Sequence, residues 1–171
     1  MEIRAAAEPD WQTLRDVRLR ALADAPYAFA SRLDVEREHP DQYWRDRAAG
    51  RSGAPGVTFL AIADGRADGL VGMFVEPDQP GAGHLVAMWV DPAVRRTGLG
   101  RLLVERAIGW ARERGLREVH LWVADGNDAA AALYRANGFA PTGRRQPLPS
   151  DPSVEEEMFS LALDAAIEEP A

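Results

Sequence analysis

Read for the spacing of its apolar positions, the chain opens with a short strand candidate, Glu2 to Ala6. Asp10 stands where a helix N-cap belongs, ahead of Trp11, Leu14, Val17, Leu19 and Leu22, and Pro26 ends that helix. Pro40 opens a second helix through Tyr43 and Trp44 that stops at Gly50, and Arg51 to Gly56 reads as a loop. Val57 to Ala63 and Leu70 to Val75 are β-prone runs set apart by the turn signals Asp64-Gly65 and Asp68-Gly69, which predicts an antiparallel pair. After a loop from Pro77 to Gly83, His84 to Val90 is almost continuously apolar. A strand without alternation is one covered on both faces, so this one is expected at the centre of a sheet.

The second half reads as cleanly. Gly98 to Arg114 carries Leu99, Leu102, Leu103, Ala107, Trp110 and Ala111 at helical spacing and closes at Gly115. Val119, Leu121 and Val123 form a strand, and Asn127 caps a helix that runs to Asn137-Gly138. Phe139 to Arg144 and Glu156 to Leu163 are the last strands, with a proline-rich loop between them. The order β-α-α-β-β-β-α-β-α-β-β predicts one mixed α/β (α+β) domain over residues 1–163, with helices on the faces of a mixed sheet and a frayed tail over 164–171.

Composition narrows the chemistry. With 171 residues, a single core is the expectation, and neither internal repeats nor long low-complexity tracts break it. The absence of cysteine excludes thiolate nucleophiles, Cys-ligated metal centres and disulfides. All 20 basic residues are arginine, so Schiff-base and P-loop lysines are excluded as well. A net charge of −7 disfavours nonspecific nucleic-acid binding. Met1 to Ala7 has no apolar leader core, and no run approaches the roughly 18 apolar residues of a membrane span, so the expectation is a cytoplasmic protein without a membrane partner.

The segment with most to say is Arg95-Arg96-Thr97-Gly98-Leu99-Gly100-Arg101, between the central strand and the long helix. Two glycines allow close backbone approach, a helix N-terminus offers unpaired N–H groups, and arginines add positive charge. That combination suits a phosphate, although a tight turn with solvated arginines would use the same residues. It is neither a Rossmann nor a P-loop fingerprint, lacking the G-x-G-x-x-G spacing and the Gly-Lys pair.

Taken with the strand end Met88-Trp89-Val90-Asp91-Pro92, Leu102 and Leu103, and the second signature Asn127…Ala131-Ala132-Leu133-Tyr134…Asn137-Gly138-Phe139, this segment resembles the GNAT superfamily of N-acetyltransferases. The resemblance covers most of the chain and implies a mostly antiparallel central sheet with helices on both faces. It implies acetyl-CoA as co-substrate and no metal. The pyrophosphate would lie on the N–H groups of Arg96, Thr97, Gly98, Leu99, Gly100 and Arg101, with Arg95 adding backbone and charge. The pantetheine arm would pair with the backbone of Met88 and Val90, around Trp89, and the Val90 N–H would face the developing oxyanion. Asn127 would contact the pantetheine, or serve only as a helix cap.

The resemblance also suggests Tyr134 as the acid that protonates the departing thiolate; its alternative is a core aromatic. For the base, His84 stands where many members carry a glutamate, Glu76 competes with it, and a water chain without a dedicated base is the third option. His120 and His39 read as bystanders. The stretch Arg144 to Pro152 is either a wall of the acceptor pocket or a rigid solvent loop, and Glu155-Glu156-Glu157 either attracts a cationic acceptor or, like Arg15, Arg18 and Arg20, is a solvated face, the usual reading of a charge run. The expected activity is acetyl transfer from acetyl-CoA to a primary amine, on a small molecule or a peptide, by direct attack. The alternative is a catalytically idle acyl-CoA-binding module. Homodimers are common in the superfamily and would not be unexpected.

Overall fold

The computed structural model describes residues 1–163; the expected tail, 164–171, lies outside the described residues. The chain forms β1 (Glu2–Ala5), α1 (Trp11–Asp24), α2 (Leu33–Arg37), α3 (Asp41–Ala48), β2 (Gly56–Ala63), β3 (Arg66–Glu76) and β4 (Gln79–Val90). It continues with α4 (Leu99–Glu113), β5 (Glu118–Ala124), α5 (Asp128–Ala136), β6 (Ala140–Leu148) and β7 (Asp151–Ala162). The seven strands make one sheet in the order β1-β2-β3-β4-β5-β7-β6, which puts β4 at its centre. Every neighbouring pair is antiparallel except β4 with β5.

Side-chain alternation along the strands builds two cores. Phe59, Val71, Met73, Leu121 and Phe159 face α4, whose stripe of Leu99, Leu103, Val104, Ala107, Ile108 and Ala111 is buried against them. On the other face, Leu60, Leu70 and Trp89 pack against α1 and α3 through Leu14, Val17, Leu22 and Trp44. Among the described residues, no helix is long and apolar enough to cross a membrane.

Four expectations are corrected. The five-residue α2 is a further helix that the sequence pattern does not predict, because it has too few positions to show an apolar period. The loop expected from Pro77 to Gly83 is a tight hairpin, with Gln79 already paired to Glu76. The proline-rich stretch is also strand: β6 and β7 run on to a turn at Pro149-Ser150. Proline survives there because β6 is the sheet edge, where one side of the strand needs no ladder donors, and because Pro152 lies beyond the last β5–β7 pair, Ala124 with Glu156. The fourth correction is a bulge in β4. Leu70 pairs with Trp89 and Gly72 with Val86, so β4 carries one extra residue there, and Ala87 takes a left-handed φ of 56°.

Candidate active site

The parallel β4–β5 ladder has only three pairs, Ala82 with Glu118, Gly83 with Val119 and His84 with His120. Beyond His84 the two strands part, and the bulge at Ala87 falls in this open segment. The Asp91 N–H donates to the Asp68 carbonyl on the β3 side at 2.8 Å. Backbone groups alternate along a strand, so Trp89 also faces β3, and Met88 and Val90 turn their N–H and C=O toward the gap. A central strand thus exposes, inside the sheet, an edge that no neighbouring strand pairs, which an extended ligand can use as a strand would.

The gap leads to the N-terminus of α4. Asp91 fixes the approach: its carboxylate accepts from the Ala93 N–H at 3.0 Å, Arg20 at 2.8 Å and Arg66 at 2.6 Å. Arg96 (φ 64°) and Gly98 (φ 90°) are left-handed and curl the loop into the helix. Gly98 supplies no capping side chain, and the first-turn N–H groups of Leu99, Gly100 and Arg101 have no intrahelical acceptor. An added Cβ at Gly98 would meet nothing within 4 Å, and one at Gly100 only Leu133 and Met88 at 3.5 Å, so the space above the helix end is free for an anion.

The arginines contribute less charge than the sequence suggested. Arg95 is turned back, donating to the Val90 carbonyl at 2.9 Å and to Asp24, so its charge is already matched. Arg101 pairs with Glu105 at 2.7 Å, while Arg96 is exposed at the rim. Thr97 spends its hydroxyl on the Val94 carbonyl at 2.8 Å, and the Leu99 side chain is buried. The Trp89 indole points to the α1 face, where it donates to Asp24 at 2.9 Å. In this segment the binding capacity therefore resides mainly in the backbone.

Two cavities meet at the gap. One, of about 470 Å³, is bordered by Met88, Val90, Gly98, Gly100, Asn127 and Tyr134. The other, of about 430 Å³, reaches Arg18, Arg47, His84, Gln146, Glu156 and Tyr134. Phe29, Met88, Asn127 and Tyr134 belong to both. Asn127 accepts from the Ala130 N–H at 3.3 Å, so it caps α5 while bordering the groove. Tyr134 is 7% exposed, edge-on to Phe139, and burial pushes its phenol well above the ordinary tyrosine value. It therefore holds its proton at neutral pH.

His84 and Glu76, read from sequence as competitors, are joined: Nδ1 of His84 lies 2.6 Å from Oε1 of Glu76. The imidazole stacks on Phe74 with ring centres 5.1 Å apart. Burial lowers the His84 pKa from its ordinary 6.5, and the Glu76 carboxylate opposes this only in part. The ring is thus mostly neutral at pH 7. With Glu76 ionised, the hydrogen bond assigns the proton to Nδ1 and leaves the Nε2 lone pair available. His120 sits 3.2 Å from Glu118, and His39 stacks on Tyr43; neither borders the two cavities.

The second cavity also holds charges for which the sequence pattern favours a solvated face. Arg18 is 5% exposed, and Nε and Nη2 both engage Glu36, at 3.1 and 2.5 Å. Arg47 reaches the same carboxylate at 3.2 Å. Burial pushes the Glu36 carboxyl up, but the Arg18 hydrogen bonds and the Arg47 charge outweigh it and hold it below the usual range. Glu156 is likewise 5% exposed and accepts from the Gln146 amide at 2.7 Å, and burial raises its pKa. Arg15 and Arg20 are half-exposed, and Arg20 is committed to Asp16, Asp91 and the Ala67 carbonyl. A signal for Arg18 was present: positions 14, 17, 18, 21 and 22 make one helical stripe, and the other four are apolar.

An extended ligand that carries an anionic group such as a phosphate is the class this arrangement fits. The sequence pattern described as the acetyltransferase (GNAT) family matches residues 17–139. The mycothiol acetyltransferase of Beutenbergia cavernae is 32% identical over 136 residues, 80% of this chain and 42% of that protein. The chain spans about two fifths of the length of the curated relatives it matches. In fold, it resembles a GNAT-family acetyltransferase from Streptococcus pneumoniae, with a TM-score of 0.79 and 21% identity over 95% of this chain and 98% of that one. It also resembles yncA of Salmonella typhimurium, solved with its cofactor acetyl-CoA, with a TM-score of 0.78 and 20% identity over 100% of this chain and 98% of that one. The chain belongs to the GNAT family of acetyltransferases.

Proposed function

We propose that the chain is an N-acetyltransferase that moves an acetyl group from acetyl-CoA to a primary amine by direct attack in a ternary complex. The observation that carries this reading is the gap beside the α4 N-terminus, with the Met88 and Val90 backbone turned into it and Tyr134 common to both cavities. The first-turn N–H groups of α4 would hold the pyrophosphate, helped by the helix dipole rather than by Arg95. Met88 and Val90 would pair with the pantetheine amides, and the Val90 N–H would face the thioester oxygen.

The acceptor enters from the second cavity. His84 Nε2, its ring held by Glu76, takes the proton that the amine must lose, and the nitrogen lone pair attacks the acetyl carbonyl. As the C–S bond breaks, the Tyr134 hydroxyl gives its proton to the thiolate, and the phenolate recovers one from the proton that the attacking nitrogen sheds on becoming an amide. Its raised pKa makes it a weak acid in the free protein, so close approach of the thiolate is what makes the transfer feasible.

The test is amine-dependent release of CoA over a broad amine panel, with the N-acetylated product identified by mass. Release with product supports the reading. Acetyl-CoA binding without turnover on any amine would favour the idle binding module.

A further inference from the structure

The second cavity carries opposite charge demands in its walls. At one side, two guanidinium groups, Arg18 and Arg47, share a single carboxylate, Glu36, which leaves this buried cluster one positive charge in excess. Nη1 of Arg18 is buried and has no hydrogen-bond partner. Such an atom is costly to leave unmatched, because a buried charged donor loses water without a replacement. The other element is Glu156, a buried carboxylate whose hydrogen-bond donor is the neutral Gln146 amide. Both Arg18 and Glu156 border the cavity that His84 and Tyr134 reach.

Resting on the acetyl-transfer reading, the geometry points to an acceptor that carries a carboxylate as well as its amine, with Arg18 as the residue that selects it. Glu156 attracts the ammonium form of the acceptor into the cavity, where His84 takes its proton. Nη1 of Arg18 donates to the acceptor carboxylate, which also offsets the excess charge of the Arg18–Glu36–Arg47 cluster. Access to Nη1 requires a side-chain adjustment, common at binding sites. Phe29 is placed to make it, since the Arg18 guanidinium lies 4.7 Å from its ring centre and Phe29 borders the same cavity. A purely apolar amine would bring its ammonium to Glu156 but leave Nη1 of Arg18 and the excess charge of its cluster unmatched. A peptide N-terminus would bring an amine but no nearby carboxylate.

The experiment compares matched amines that differ only in a carboxylate: an amino acid, its amide, and the parent amine. For the wild-type chain, kcat/KM should favour the carboxylated member by about 10- to 100-fold, the range of a charge-assisted hydrogen bond. Arg18→Lys keeps a cation opposite Glu36 but has no second nitrogen to offer. It should raise KM for the carboxylated amine, bring the ratio toward unity, and leave the parent amine within about threefold, as expected when a binding contact alone is lost. Equal wild-type rates for the acid and its amide would overturn the proposal, and that comparison decides even where Arg18→Lys fails to fold. Failure of the acetyl-transfer reading is separately visible, as no amine-dependent CoA release at all. Calorimetric binding of the same amines to the protein–CoA complex then decides, and equal affinity for acid and amide would overturn the carboxylate preference.

Discussion

Nδ1 of His84 lies 2.6 Å from Oε1 of Glu76, across the hairpin that joins β3 to β4, and His84 borders the second cavity. The carboxylate orients the ring and fixes its tautomer, and burial keeps the ring neutral at pH 7.

On the proposed mechanism, the pair sets the pH dependence of the reaction. Activity should rise with pH as His84 loses its proton, with the inflection in kcat/KM below the ordinary histidine value of 6.5 because the His84 pKa is lowered. His84→Ala should remove that inflection and cost roughly 10²–10⁴-fold. Glu76→Gln removes the group that raises the His84 pKa, so the inflection should move to still lower pH with a smaller loss of rate. A pH–rate profile unmoved by both changes would hand deprotonation to water or to the free amine.

Tyr134→Phe keeps the ring that packs on Phe139 and removes only the hydroxyl. If the phenol is the acid, kcat should fall by roughly 10²–10⁴-fold while acetyl-CoA affinity stays within about threefold. Parallel loss of binding and turnover, by calorimetry and steady-state kinetics, would make Tyr134 a structural residue.

Glu156 trades stability for its place in the cavity. Its folded pKa is raised above the ordinary 4.5, so the folded form holds the proton more tightly than the unfolded one. Stability from this group is therefore full below pH 4.5 and is lost as pH rises through the folded value. Glu156→Gln keeps an oxygen for the Gln146 amide and has no charge to bury. It should raise Tm at pH 8, by about 2–4 °C for each 1 kcal/mol of relieved charge burial. The gain should vanish toward pH 4.5. A gain equal at both pH values, or none at pH 8, would contradict the assignment.

Much of the fold was legible because backbone constraint leaves marks in sequence. A central strand shows as lost alternation from His84 to Val90, and a left-handed loop residue beside a helix start shows as Gly98. The β4 bulge was invisible because alanine, not glycine, occupies the left-handed position at 87. The His84–Glu76 bond depends on the β3–β4 register, where Phe74 opposes His84 and Glu76 opposes Gln79, and neither the register nor the bulge between them can be read from spacing. Sequence alone favours a solvated Arg18 and Glu156 because charged residues usually face water. Arg18 is buried by its place on the α1 stripe, and Glu156 by its position on β7, a strand interior to the sheet. The proline-rich stretch misled for the opposite reason, since edge position excused β6 from the pairing that proline forbids.

The proposed activity requires that the N-terminus of α4 cradle acetyl-CoA. Gly100→Glu is the cleanest probe, because Gly100 has no left-handed φ to strain and an added Cβ would meet only ordinary contacts at 3.5 Å. Its carboxylate would lie where the pyrophosphate is to bind. Titration of acetyl-CoA into folded wild-type and Gly100→Glu chains by calorimetry should show saturable one-to-one binding in the first and none in the second. Equal affinity in the two, with unchanged melting temperature, would contradict the account.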